Sequence, residues 1–264
     1  MVANGTGSGT REQAVVIAGG GPTGLALEAE LTMAGVDAVV VERRRSHELE
    51  SSRAGGLHAR TIEVFDQRGV AERFLSAGEV MQIVGYSQIQ LDLSDFPSRH
   101  PYGLALWQSH IERIMSEWIT ELGVAMLRGR EVVGLAQDGE GVDVALGDGT
   151  ALRARYVVGC DGGRSLVRKA AGIDFPGTDP TMSWILAEVE MDDEPEFGFR
   201  RDRIGQHAIG RRRPDEPIRL VLNERQVDHA DDPTIDELRG TLVAVYGTDI
   251  GLRTRLRPPS QPTT

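Results

Sequence analysis

Hydrophobic positions along this chain switch between two periods. Residues 14–18 (Ala14-Val15-Val16-Ile17-Ala18) and 38–41 (Ala38-Val39-Val40-Val41) are continuous apolar runs, the pattern of strands buried on both faces of a parallel sheet. Between them, residues 22–34 carry a helical pattern. Pro22 sits in its first turn, where a missing N–H costs nothing, and Gly35 stops it. Residues 61–68 read as a helix ended by Gly69. Residues 86–93 alternate with period two and predict a single half-buried strand. Ser109 is expected to cap a helix whose Ile111, Ile114, Met115, Trp118 and Ile119 share one face. Runs at 132–135, 142–146 and 151–158, separated by Asp138-Gly139 and Gly147-Asp148-Gly149, predict hairpins. Residues 164–171 read as a short basic helix. Beyond Phe175-Pro176-Gly177 the pattern changes to strand-like pieces at 184–189 and 218–222 and one helix at 235–245. The expected organisation is a disordered leader over 1–13, an α/β domain over 14–175 with a strand insertion at about 80–107, a partial second region over 176–250, and an irregular Pro-rich tail over 251–264.

The first strand leads into Gly19-Gly20-Gly21-Pro22-Thr23-Gly24, and the second ends in Glu42. Each glycine has a mechanical role. Gly19 permits the tight strand-to-helix turn, Gly21 lets the backbone approach a pyrophosphate, and Gly24 lets the helix pack against the strand. The pyrophosphate then meets the free N–H groups of the helix N-terminus, and the acid takes a ribose hydroxyl. A glycine triplet alone is weak; with a strand before, a helix after and an acid closing the next strand, it predicts dinucleotide binding.

Composition narrows the remaining possibilities. The chain has 264 residues, 40% hydrophobic and 26% charged, which is ordinary for a globular protein. A net charge of -11 argues against a nucleic-acid or anionic-membrane surface. No apolar run reaches the ~20 residues of a membrane span. The first thirteen residues are Gly/Thr-rich and lack the apolar core of a secretory signal. The single Cys160 excludes an internal disulfide and fits the cytoplasm; at the end of an apolar strand, with no histidine near in sequence, it reads as a buried structural thiol. The six histidines show no metal-ligand spacing and are read as structural, so no metal site and no catalytic triad is expected. Arg44 and Arg45 read as solvated, as does the run Arg211-Arg212-Arg213, whose rival reading is steering of a phosphate by charge.

Three further segments join the glycine turn: Arg53-Ala54-Gly55-Gly56-Leu57, Gln108 at the entrance to the Trp118 helix, and Gly159-Cys160-Asp161-Gly162-Gly163-Arg164-Ser165 after an apolar strand. Together they resemble the single-component flavoprotein aromatic hydroxylases, the p-hydroxybenzoate hydroxylase family. The wording of 52–63, His100-Pro101-Tyr102-Gly103-Leu104, 159–168 and Phe175-Pro176-Gly177-Thr178 resembles the subgroup of rifampicin monooxygenase and the actinomycete aromatic polyketide hydroxylases. The resemblance runs from about Val15 to Asp249. It implies a Rossmann-like FAD-binding domain of the glutathione reductase type with an incomplete α+β substrate domain. By resemblance, Gly19, Gly21, Pro22, Thr23 and Gly24 cradle FAD. Glu42 holds the adenosine ribose, Arg43 lies by the adenine, Arg53 contacts the ribityl–diphosphate region, and Gln108 bonds near the ribityl chain. Asp161 and Gly162 serve FAD and NADPH. The implied activity is hydroxylation of an aromatic, polyketide- or ansamycin-like small molecule, with O2 as co-substrate and NADPH as a transient reductant lacking a Rossmann domain of its own. The cofactor carries the chemistry and the protein supplies position and exclusion of water, so no protein residue is assigned a catalytic role.

Two features depart from that pattern. Four residues after Gly24, where a small residue usually packs helix on sheet, stands Glu28; either Ala26 and Ala29 take the close contact or Glu28 finds a partner. The family's Gly-Asp motif after the substrate domain is absent, and the resemblance fades into a Pro-rich end, so a truncated family member is expected. Two other classes compete: a catalytically incompetent FAD- or ADP-binding fragment or partner-docking module, and an NAD(P)-dependent reductase, against which the Arg53 and Asp161-Gly162 segments argue.

Overall fold

Apolar strands and an amphipathic helix layer meet in the computed structural model, which describes residues 12–46, 54–86, 89–124, 126–211, 214, 216–224 and 233–257. Its described residues divide into two compact units, the first ending at Phe175 and the second beginning at Pro176.

The first unit is built on β1 (Glu12–Ala18), α1 (Pro22–Met33) and β2 (Ala38–Glu42). There follow β3 (Gly56–Leu57), α2 (Ala59–Gln67), α3 (Ala71–Leu75), β4 (Glu79–Met81), β5 (Ile83–Tyr86), β6 (Ile89–Asp92) and β7 (Gly103–Ala105). The unit closes with α4 (Gln108–Glu121), β8 (Leu127–Arg128), β9 (Val132–Gln137), β10 (Val142–Leu146), β11 (Ala151–Gly159) and α5 (Leu166–Ala170). Six strands form one sheet in the order β8-β2-β1-β11-β10-β9. The inner pairs are parallel, with Ala18 opposite both Val41 and Gly159, while β9 and β10 run antiparallel. Chain reversal on either side of β1 makes the carboxyl ends of β1, β2 and β11 a switch point, the place where open α/β sheets bind ligands. Both faces of the sheet are apolar, with Val15, Ile17 and Val40 on one and Val16, Val41, Val144 and Leu146 on the other. A helical layer carries the largest core, in which Phe65 stacks on Phe74 at 4.4 Å and meets Trp118 edge-on at 6.5 Å.

The second unit contains β12 (Trp184–Met191), β13 (Gly198–Arg201), β14 (Gln206–Gly210), β15 (Ile218–Asn223), α6 (Ile235–Tyr246) and β16 (Leu252–Arg257). The sheet order is β13-β14-β15-β12-β16, and Ile185, Leu220 and Leu222 pack with Leu238 and Leu242 of α6. A reciprocal capping box of Thr234 and Glu237 starts α6, and Gly247, at φ 81°, ends it.

Three expectations need correction. Residues 86–93 are not one half-buried strand: β5 and β6 pair antiparallel, and Ile89 and Leu91 are exposed, because alternation alone does not say whether either face is covered. The helix expected behind a Ser109 cap starts two residues earlier, at Gln108. Its N-cap is Trp107, whose side chain makes no capping bond. The stretch read as the start of an irregular tail pairs through β16 with β12; the prolines that argue against a strand lie after it, outside the described residues.

Candidate functional site

Local sterics build the turn after β1. Gly19 has φ 106°, and a Cβ there would lie 2.4 Å from the Cys160 carbonyl oxygen. A Cβ on Gly24 would lie 2.0 Å from the Gly19 carbonyl oxygen, so α1 can leave the sheet at this distance only with glycine. Gly21 differs: its φ of -76° is ordinary and its Cβ direction is empty to 4 Å. Pro22 is the first residue of α1 and Thr23 is exposed. No side chain caps α1 and no acid stands in its first turn, so its N–H groups and positive dipole end face outward.

Glu42 closes β2 beneath that turn. It is buried, and its Oε2 accepts from the Gly20 N–H at 2.7 Å. Its Oε1 accepts from the Arg44 N–H at 2.8 Å and from Arg44 Nε at 3.1 Å. Burial alone would raise this carboxyl, but the Arg44 N–H and guanidinium and the Gly20 N–H outweigh it and hold it below the usual carboxylate range. Oε1 already accepts from two donors, while Oε2 accepts from one and keeps acceptor capacity, so the carboxylate can still receive a hydroxyl there.

The Asp161 turn meets the glycine turn from the other side of β1. The Cys160 N–H donates to Ala18 O at 2.8 Å, and Asp161 Oδ2 accepts from the N–H groups of Leu166 and Val167. Asp161 Oδ1 is buried without a hydrogen-bond partner among the described residues. Gly162 follows at φ 82°, exposed. Burial pushes the Cys160 thiol up, with Asp161 adding to it, which opposes a nucleophilic role.

The remaining expected site residues divide. Gln108, first in α4, accepts from the Ala54 N–H at 3.2 Å and donates through Nε2 to Glu112 Oε1 at 2.8 Å. Arg43 is exposed beyond β2. Arg53 lies outside the described residues. Arg44, expected to be solvated, is half-buried: its Nη1 reaches Glu112 Oε2 at 2.9 Å while its Nε holds Glu42, so two buried acids fix it in place. Arg211 likewise pairs with Glu194 at 2.7 Å and stacks over Phe197. No motif pointed to Glu112. The signal was its place directly after Ile111 and three before Met115, a charge inside the arc that the apolar stripe buries.

Glu28 partly answers its own question. Ala29 is fully buried and takes close packing, while Glu28 is also buried. Its Oε1 accepts from Thr32 Oγ1 at 3.4 Å and its Oε2 has no partner among the described residues. Burial raises its pKa above the ordinary 4.5, against the Thr32 hydroxyl and helped by Asp37. A raised folded-state pKa means that the fold binds this proton more tightly than the unfolded chain does, so stability falls as pH rises from 4.5 through the raised value. Glu28→Met is therefore expected to stabilise the protein by about 1–2 kcal/mol at pH 8, with the gain shrinking toward pH 4. Urea denaturation at both pH values checks this; equal gains would exclude the titration.

A model of the FAD binding domain family matches residues 12–224. This chain belongs to that family. The chain is 41% identical to a rifampicin monooxygenase from Streptomyces venezuelae over 252 residues, covering 90% of this chain and 52% of that protein. It is 35% identical to a dialkyldecalin synthase from Streptomyces rugosporus, covering 89% and 52%. Among solved structures, the anhydrotetracycline hydroxylase of Streptomyces rimosus matches with a TM-score of 0.82 at 36% identity, over 93% of this chain and 51% of that one. The chain thus spans about half the length of the curated relatives it matches. The FAD binding domain has the Rossmann-like α/β architecture of the FAD-dependent aromatic hydroxylases. Among its described residues no helix is long and apolar enough to cross a membrane, and no cluster of His, Cys, Asp or Glu could hold a metal ion.

The residues present fit an FAD at the switch point. An uncapped helix N-terminus suits a pyrophosphate, empty space lies where a Gly21 Cβ would be, and Glu42 is an ionised acceptor at the end of β2.

Proposed function

We propose that this chain supplies the FAD-holding part of a monooxygenase that hydroxylates an aromatic small molecule of polyketide or ansamycin type, with O2 as co-substrate and NADPH as transient reductant. The observation that carries the reading is the convergence of the Gly19–Gly24 turn, Glu42 and the Asp161 turn at the carboxyl ends of three neighbouring parallel strands. When bound, FAD supplies the redox chemistry by which O2 is activated and one oxygen transferred. The chain's own residues bind and orient. The N–H groups of Gly21, Thr23 and Gly24 would hold the diphosphate, Glu42 would take a ribose hydroxyl, and Arg43 would serve the adenine end. Arg53 and Gln108 serve the ribityl–diphosphate stretch. Asp161, through its bonds to the start of α5, fixes the turn that carries Gly162. Relatives from polyketide and rifampicin chemistry support the substrate class, and the single fingerprint turn supports a reductant that visits without a Rossmann domain of its own. The net charge of -11 and the single cysteine support the reading of a cytoplasmic enzyme.

Purified protein mixed with FAD and freed of excess by gel filtration is expected to remain yellow, and NADPH to bleach it anaerobically. A colourless protein that binds ADP would instead identify a binding module, and tight NADP binding without FAD would identify a nicotinamide reductase.

A further inference from the structure

A continuous chain of polar contacts runs beneath the site. From the Gly20 N–H it passes to Glu42, from Glu42 to Arg44, from Arg44 to Glu112, from Glu112 to Gln108, and from Gln108 to the Ala54 N–H. Its two ends are the backbone of the fingerprint turn and the backbone next to Arg53. Its centre is Glu112, which is 2% exposed and divides its two oxygens between a guanidinium and an amide, at 2.9 and 2.8 Å. Arg44 touches both acids, and its planar fork serves Nε and Nη1 to different carboxylates at once.

We propose that Glu112 is a positioning residue: by holding Arg44 and Gln108 on its two carboxylate oxygens, it fixes the Glu42 carboxylate for a ribose and the Gln108 amide for the middle of the same dinucleotide. The inference rests on the reading of Glu42 as the ribose acceptor. Three features support it. Two acceptors are required between two donors, and a carboxylate is the side chain that offers only acceptors. Both partners of Glu112 are themselves committed on their far sides, to Glu42 and to Ala54, so neither can turn without breaking a second bond. The carboxylate also anchors Arg44 from its far side, so that the guanidinium is held between two buried acids and cannot swing away from Glu42 without leaving Glu112.

The chemistry gives a specific test with ADP, which fills the adenosine end alone. In Glu112→Gln the amide has one acceptor and two donors, so it confronts either Arg44 or Gln108 with a donor. ADP affinity of the full chain, measured by calorimetry, is expected to fall about tenfold. In an Arg44→Lys background, where the fork is gone, the same substitution is expected to change it less than twofold, because Glu112 acts through Arg44. Combining Glu112→Gln with Gln108→Glu exchanges acid and amide, restores the donor–acceptor sequence and is expected to return ADP affinity to within threefold. Melting of each unliganded variant confirms that it is folded. Undiminished ADP binding by Glu112→Gln, an undiminished loss in the Arg44→Lys background, or no recovery in the exchange variant overturns the proposal. If the unaltered chain binds neither ADP nor FAD, the ribose reading fails first and the proposal with it.

Discussion

Gly24→Ala is expected to abolish flavin retention and to lower the melting temperature by roughly 6–12 °C. The added methyl would sit 2.0 Å from the Gly19 carbonyl oxygen. That oxygen cannot retreat, because Gly19 is itself pressed against the Cys160 backbone, where a Cβ of its own would lie only 2.4 Å from the carbonyl oxygen. Both obstacles are backbone, so relief requires α1 to move off β1, at a cost of about 3 kcal/mol or more. For a unit of this size that corresponds to the stated shift. Moving α1 also withdraws its N-terminal N–H groups from the diphosphate, so FAD affinity should fall at least ~100-fold, about 2.7 kcal/mol. Gly21→Ala is the matched control. Its φ is ordinary and its Cβ direction empty, so melting should change little while ADP and FAD binding weaken, since the methyl projects where the ligand would lie. Calorimetric melting together with flavin absorbance after gel filtration separates the two. A Gly24→Ala protein that melts normally and stays yellow would refute the packing argument.

Arg44→Ala should carry a comparable penalty by a different route. It leaves Glu42 and Glu112, with side chains 7% and 2% exposed, without their shared cation. Removing one partner of a buried ionic cluster costs about 3 kcal/mol, mostly the uncompensated charge left behind. The pH dependence follows from the direction of the Glu42 shift. Its folded-state carboxyl lies below the ordinary 4.5, so the stability it contributes is present above 4.5 and is lost as pH falls through the lowered value. The variant should therefore lag the parent most at pH 7, and the two denaturation curves should approach each other below pH 4. A gap independent of pH would show that Arg44 contributes through packing of its aliphatic stem.

The strands and helices around the glycine turn were legible because their signals are local. Continuous apolar runs, Pro22, Gly35 and Gly69 each act within a few residues of where they stand, and β1, α1, β2, β9, β10, β11, β12, β15 and α6 lie where periodicity puts them. Arg44 was misread for the opposite reason. Its partners are two residues away on one side and 68 on the other, and a run of three arginines offers no hint that the middle one turns inward. Glu112 was invisible for the same cause, since an acid next to a hydrophobic stripe is ordinarily a solvated flank. Glu28 was recognised as misplaced from the fingerprint pattern, but Thr32 as its hydroxyl partner required the folded helix.

The β5–β6 hairpin has a dynamic consequence. It is a sheet of two strands, with Ile83 47%, Ile89 61% and Leu91 42% exposed, anchored at its base where Gln82 Nε2 donates to Pro101 O and the Leu93 N–H donates to Gln82 O. Two strands with so little apolar surface removed from water are barely stable by themselves. The hairpin therefore opens far more readily than the sheet built on β1, and its amides should be the first of the first unit's paired strands to take up deuterium, on a timescale set by local fraying rather than by global unfolding.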